Sequence, residues 1–185
     1  MPTELEEFAK NFPGHAVPAE LAKLLVFQNE TGFETYSDGF GLYVDDKSGL
    51  RSWSAKPEFL DGLLPFAQAT GGGSFYALWL DGSGRSLSET PVVVFGDEGG
   101  MHVVASNVKE LMQLLALDVE PTIDHDGVSF YRADDYEPRP SLARFKDWLK
   151  AELGLDAPGE ADRLVAAAQA QHKAAFDGWK SAHGV

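Results

Sequence analysis

Three short stretches of the chain hold residues whose types and spacing could do chemistry. Gly71-Gly72-Gly73-Ser74 has the look of a phosphate-cradling loop or a nucleophile turn. A phosphate loop needs a Lys and then a Ser or Thr behind its second glycine, at the start of a helix. Here Gly73 leads into Ser74-Phe75-Tyr76, and no basic residue follows before Arg85. A nucleophile elbow needs Gly-x-Ser-x-Gly, and Tyr76 occupies its last position. The triple glycine is therefore expected to be a bend that lets backbone approach closely. Gly96-Asp97-Glu98-Gly99-Gly100 offers two carboxylates to a cation, fewer oxygens than Ca²⁺ takes, and is expected to be a solvated hairpin turn.

Asp124-His125-Asp126 is the best metal or acid–base candidate, and it supports one reading of the chain as a small metal-dependent hydrolase. Against that reading, successive side chains in so short a loop point in different directions. His15, His102, His172 and His183 show no ligand spacing, and no pair of carboxylates stands out for hydrolysis. The chain has no cysteine, which removes disulfides, thiolate catalysis and Cys-based zinc sites. No catalytic residue, cofactor or metal is assigned.

The elements that would position these stretches follow from periodicity and punctuation. Thr3-Glu4-Leu5-Glu6 fits a capping box, with Leu5, Phe8 and Phe12 on a short helix that Pro13-Gly14 stops. A second helix opens at Pro18, sets Leu21, Leu24, Leu25 and Gln28 on one side, and closes between Asn29 and Gly32. Residues 33–53 read as short strands or a hairpin about an Asp45–Gly49 turn, and residues 57–68 as a brief helix or irregular turn broken at Pro65. Three strands then form a meander: 74–80, 91–95 and 101–105, joined through Asp81–Gly84 and Gly96–Gly100.

Ser106 or Asn107 caps a helix bearing Val108, Leu111, Met112 and Leu115, and residues 127–132 are expected to add an edge strand. Residues 134–140 read as a linker. Ser141 should cap a helix carrying Leu142, Phe145, Trp148 and Leu149, which Gly154 ends. Residues 160–179 form a last amphipathic segment striped with Leu164, Ala168, Ala175, Phe176 and Trp179. This order implies an α+β class: a central, mainly antiparallel sheet with helices packed against it and a C-terminal helical extension. The expected division is a domain over 1–140, with 141–185 packed on it.

At 185 residues and 44% hydrophobic composition the chain can bury a core. Its formal charge of −14 is lopsided: residues 1–140 hold 9 Lys and Arg against 23 Asp and Glu, whereas residues 141–185 are balanced. Such a field repels phosphate backbones and favours a basic protein partner, so nucleic acid is not an expected ligand. No apolar run approaches spanning length, and the acidic start lacks the order of a signal peptide, so no membrane role and a cytoplasmic location are expected.

Several segments resemble the SUKH superfamily, which includes yeast cell-wall-synthesis regulators and bacterial immunity proteins of polymorphic toxin systems. The resemblance begins at Val17-Pro18-Ala19-Glu20-Leu21 and Gln28-Asn29-Glu30-Thr31-Gly32-Phe33. It resumes at Leu64-Pro65-Phe66-Ala67 and Gly73-Ser74-Phe75-Tyr76-Ala77-Leu78, then at Pro91–Phe95 and Val103–Leu111. It spans approximately residues 15–117. The sequence departs at Thr70-Gly71-Gly72, where the family usually has a polar residue before the glycine, and the tail from Ser141 has no counterpart.

The resemblance implies binding, not catalysis: an immunity protein that neutralises a basic toxin, a nuclease being one class, by stoichiometric occlusion. The alternative is a general regulatory or scaffold domain of the same fold. Candidate contacts are the acidic turn residues Asp45, Asp46, Asp81, Asp97 and Glu98, with Tyr43 and Trp53 as apolar anchors. Either a monomer or a homodimer is compatible with this reading.

Overall fold

A computed structural model describes residues 2–185 and has an α+β architecture. The elements run α1 (Leu5–Phe8) with a 3₁₀ turn at Ala9–Asn11, α2 (Ala19–Thr31), β1 (Gly41–Leu42), α3 (Ser48–Arg51) and α4 (Pro57–Asp61). They continue with β2 (Leu63–Gln68), β3 (Phe75–Trp79), β4 (Val92–Phe95), β5 (Met101–Ala105) and α5 (Val108–Leu115). A two-stranded ribbon of β6 (Pro121–Ile123) and β7 (Val128–Phe130) follows, then α6 (Leu142–Leu153) and α7 (Ala161–Ala182). The main sheet is antiparallel throughout, in the order β1-β2-β3-β4-β5.

The unbroken apolar run Val92-Val93-Val94-Phe95 requires cover on both faces of the sheet. Val92 and Val94 enter a core shared with α2, α5 and α6, through Leu21, Leu24, Met112 and Phe145. Val93 and Phe95 enter a second core with Trp79, Phe59, Ala168 and Phe176. Helix α7 provides most of the second cover. Phe176 meets Trp79 edge-on at 5.1 Å, and Trp179 stacks on Phe59 at 5.3 Å. The same helix masks the exposed edge of β5, where Gln169 donates to the Val103 carbonyl and Lys180 to that of Met101.

The first core contains one polar node. Gln28 is buried, its amide donates to the Leu42 carbonyl, and its oxygen accepts from Leu42 N and the Tyr36 hydroxyl, all within 2.9 Å. The glutamine of α2 thereby pins the otherwise weak, two-residue strand β1.

The structure departs from the sequence reading at several places, each with a local cause. The capping box at Thr3 does not form, because the Asn29 side chain takes both backbone groups of Thr3. Residues 33–53 give only β1 and the single turn α3, since Asp45 and Asp46 accept backbone N–H bonds from Lys47 and Ser48 and fold the chain locally. Pro65 does not break residues 57–68. It sits in β2 where the register slips between Pro65 and Ala67 and β1 does not reach, so its missing N–H costs no ladder bond to β1.

Residues 127–132 contribute β7 to the separate ribbon and not an edge to the main sheet. Ser141 precedes α6 without a side-chain cap, its N–H donating instead to the Thr35 carbonyl. On α7, His172 takes the buried position and Ala175 is exposed, as the 165–168–172–176 spacing requires.

His172 carries a pH prediction. Burial and then the Arg85 guanidinium hold its imidazole below the usual histidine value, against the opposing pull of Asp81 and Glu110. The unfolded chain therefore binds the proton more readily. The stability from the neutral ring is complete above the ordinary histidine pKa of about 6.5 and is lost as pH falls below it. Between pH 7.5 and 5.5 the wild type should lose more melting temperature than His172→Gln; parallel losses would contradict this assignment.

Candidate partner-binding surface

One end of the sheet gathers loops far apart in sequence. There β2 ends, β3 begins, β4 turns into β5, and the tip of the β6–β7 ribbon folds over that turn. The triple-glycine bend fits against the β4–β5 turn. Ser74 Oγ donates to Asp97 Oδ1 at 2.5 Å and accepts from Asp97 N at 3.0 Å. A Cβ on Gly72 would stand 2.8 Å from Asp97 Oδ2 and displace that carboxylate, and Gly73 takes φ +115°, a conformation that favours glycine. Gly71 N donates to Glu120 at 2.7 Å. The bend is a fastening between loops: Gly73 N and Ser74 N donate back to Thr70, and Gly71 N meets a carboxylate, so its N–H groups do not form an anion cradle.

The Asp124-His125-Asp126 loop is likewise occupied in structure. Asp124 Oδ1 accepts from Asp126 N and Gly127 N at 2.8 and 3.0 Å, and these backbone bonds hold its carboxyl below the usual range. Its carbonyl meets the His102 ring at 2.6 Å and covers Gly100, which has φ +93°. Asp126 and His125 are exposed. Among the described residues no group of three or more His, Asp or Glu is placed to hold a metal ion.

Beside this end opens a polar cleft of about 900 Å³ between residues 118–122 and the segment 131–140. Its base is Asp118, a buried carboxylate in the left-handed region at φ 56°. Oδ1 accepts from Asp38 N, and Oδ2 accepts from the Tyr136 hydroxyl and from Arg139 N, all between 2.8 and 2.9 Å. That side chain ties the 134–140 segment down at Tyr136 and Arg139. Burial, and then the Asp118 bond and charge, hold the Tyr136 phenol above its ordinary value. Both arginines of the cleft have internal partners: Arg139 pairs with Asp38, while the exposed Arg132 bonds the Leu117 carbonyl and lies over the Tyr136 ring. Residues 118–139 carry seven carboxylates against these two cations, so the outward potential is negative.

The seven residues singled out from the sequence do not form one cluster. Trp53 and Asp97 line a common shallow cleft, and the exposed Glu98 follows on the same turn. Tyr43, Asp45 and Asp46 lie along the stretch between β1 and α3. The Tyr43 hydroxyl donates to Asp45 at 2.7 Å, and burial followed by that bond raises its pKa. Asp46 is exposed, and its carboxyl is held low by Ser48. Asp81 sits at the far end of the sheet, beyond the C-terminal end of β3, where it pairs with Arg85. Glu120, Asp124, Asp126 and the 134–137 carboxylates join the acidic end without having been singled out as contacts. Tertiary folding brings Glu120 and Asp124 to the loops that adjoin Asp97, while the 134–137 stretch lies along the neighbouring polar cleft.

A family model described as SMI1 / KNR4 family (SUKH-1) matches residues 1–114. The match runs from α1 into α5 and includes the triple-glycine bend and the β4–β5 turn; the ribbon, the 131–140 segment and both C-terminal helices lie beyond it. No curated protein and no solved structure matches the chain.

Proposed function

Because the chain belongs to the SMI1 / KNR4 family (SUKH-1), we propose that it is an immunity protein that neutralises a basic protein toxin, a nuclease as the leading class, by one-to-one binding. The family includes toxin-immunity proteins and is generally non-catalytic. The observation that carries the proposal is the acidic region at this end of the sheet and the adjoining cleft, where three loops hold exposed carboxylates and the local arginines have internal partners. A nuclease is cationic where it grips phosphate, so a carboxylate-rich surface both attracts it and occupies that ground. In this reading the protein is no enzyme and works in the cytoplasm. Its contact centre is Trp53, Asp97 and Glu98, with Tyr43, Asp45 and Asp46 on the flank and Asp81 outside it.

The test is capture of partners from the native host at low ionic strength, elution by rising salt, and co-expression of what elutes. The proposal expects a basic protein that is released by salt, poisons cells when expressed alone, and is silenced at equimolar expression of this chain. A salt-released partner without toxicity would replace the immunity role with a regulatory or scaffold one. Retention of only neutral or acidic partners at high salt would overturn the electrostatic reading.

A further inference from the structure

We propose that the shallow cleft between α3 and the β4–β5 turn is the seat of a single arginine side chain presented by the partner. The inference deepens the reading above and rests on it. The cleft has a volume of about 340 Å³ and is walled by Gly49, Ser52, Trp53, Phe75, Asp97 and Gly99. That is the low end of ligand-pocket sizes and admits one long side chain, while the carboxylate at its edge disfavours a phosphate-bearing ligand.

Its floor is aromatic and rigid. Phe75 stacks on Phe95 at 4.9 Å with the rings nearly parallel, and Trp53 meets Phe95 edge-on at 5.8 Å. Phe95 is fully buried beneath, whereas Trp53 is half-buried and keeps part of its indole toward the cleft.

One carboxylate stands at the rim, and only half of it is used. Asp97 Oδ1 accepts the Ser74 hydroxyl, which fixes the rotamer, while Oδ2, packed beside Gly72, receives no hydrogen bond from the described residues. The cation on the neighbouring helix does not fill that need, because Arg51 donates to the Asp46 carbonyl. A planar cation on an aromatic floor with a carboxylate at its edge is the arrangement that guanidinium satisfies best. It stacks by its face and donates two parallel N–H groups in its plane. An ammonium keeps its hydration shell and gains less, and an anionic or neutral ligand would desolvate Oδ2 without pairing it.

The experiment uses the full chain and blocked tripeptides Gly-Arg-Gly, Gly-Lys-Gly and Gly-citrulline-Gly as probes, followed by ¹H–¹⁵N NMR at low ionic strength. The arginine probe should give saturable shifts confined to the Trp53 indole and the amides of Gly73, Phe75, Asp97 and Gly99. Citrulline, which keeps shape and loses charge, should bind at least about tenfold more weakly, with lysine between the two. Trp53→Ala and Asp97→Asn should each weaken the arginine probe about fivefold; Asn keeps the acceptor that holds Ser74, so the turn stays intact.

Equal binding of arginine and citrulline, tighter binding of lysine, or indifference to both substitutions would overturn the seat. Shifts spread over Glu120, Asp124 and Asp135 without saturation at the cleft would also overturn it, while leaving the acidic docking surface standing. Absence of any shift from the arginine and lysine probes alike would remove both.

Discussion

Replacing Asp118 by alanine is expected to destabilise the protein by about 1–3 kcal/mol, the range for leaving hydrogen-bonded polar groups without their acceptor. The carboxylate accepts from Asp38 N, Arg139 N and the Tyr136 hydroxyl, and alanine leaves all three donors without an acceptor. It also places a residue with no local hydrogen-bonding side chain at φ 56°, a conformation aspartate and asparagine tolerate better. The loss should be regional as well as global. Amides from 134 to 140 should lose exchange protection first, and the Tyr136 phenol should titrate closer to its ordinary value once the Asp118 bond and charge are gone. Asp118→Asn keeps an acceptor and the backbone preference, so it should cost markedly less. Denaturant unfolding of the three proteins checks the order; an alanine variant as stable as wild type would show that the 131–140 segment is not moored through this carboxylate.

Phe176→Ala is expected to cost a further 3–5 kcal/mol or so by the same measurement, since the ring is buried among Trp79, Trp179 and the second face of the sheet. Little can collapse into the space, because the neighbouring rings are themselves held by stacking, as Trp179 is on Phe59. The comparison that isolates the cause is Ala175→Ser one position earlier. Ala175 is exposed, so serine there should change stability by less than about 0.5 kcal/mol. Equal tolerance of both changes would mean that α7 does not cover the sheet. With α7 deleted, Trp79, Val93, Phe95 and Val103 would face water together, and the chain should aggregate.

The parts of this fold that could be read directly from the sequence are those held by local chemistry. The β3–β4–β5 meander announces itself through apolar runs parted by Gly-rich turns, and α5 through Asn107, whose side chain does accept from Glu110 N. Gly154 ends α6 in the left-handed conformation, as expected. Strand β2 was hidden because proline argues against a strand; only the register slip and the short β1 make room for Pro65. The burial of His172 in place of Ala175 was hidden because composition outweighed period in assigning the stripe.

The candidate surface divides the same way. Asp97, Glu98 and Trp53 were visible as acidic-turn and aromatic residues, and two of them do line one cleft. The convergence of Glu120 on Gly71, and of the 124–126 tip on Gly100, depends on contacts across 20 to 50 positions that no local pattern encodes. Asp118 gave no signal at all, being one acidic residue among many until the fold buries it.

The most direct test of the central claim is the association rate of the purified chain with its captured partner, followed by stopped flow as ionic strength rises from about 20 to 500 mM. Electrostatic steering by the acidic end predicts a fall of at least about tenfold, with dissociation little changed, and a shallower fall once Asp97, Glu98, Asp124 and Asp126 are made Asn or Gln. An association rate that is flat with salt, or identical in the neutralised variant, would contradict it.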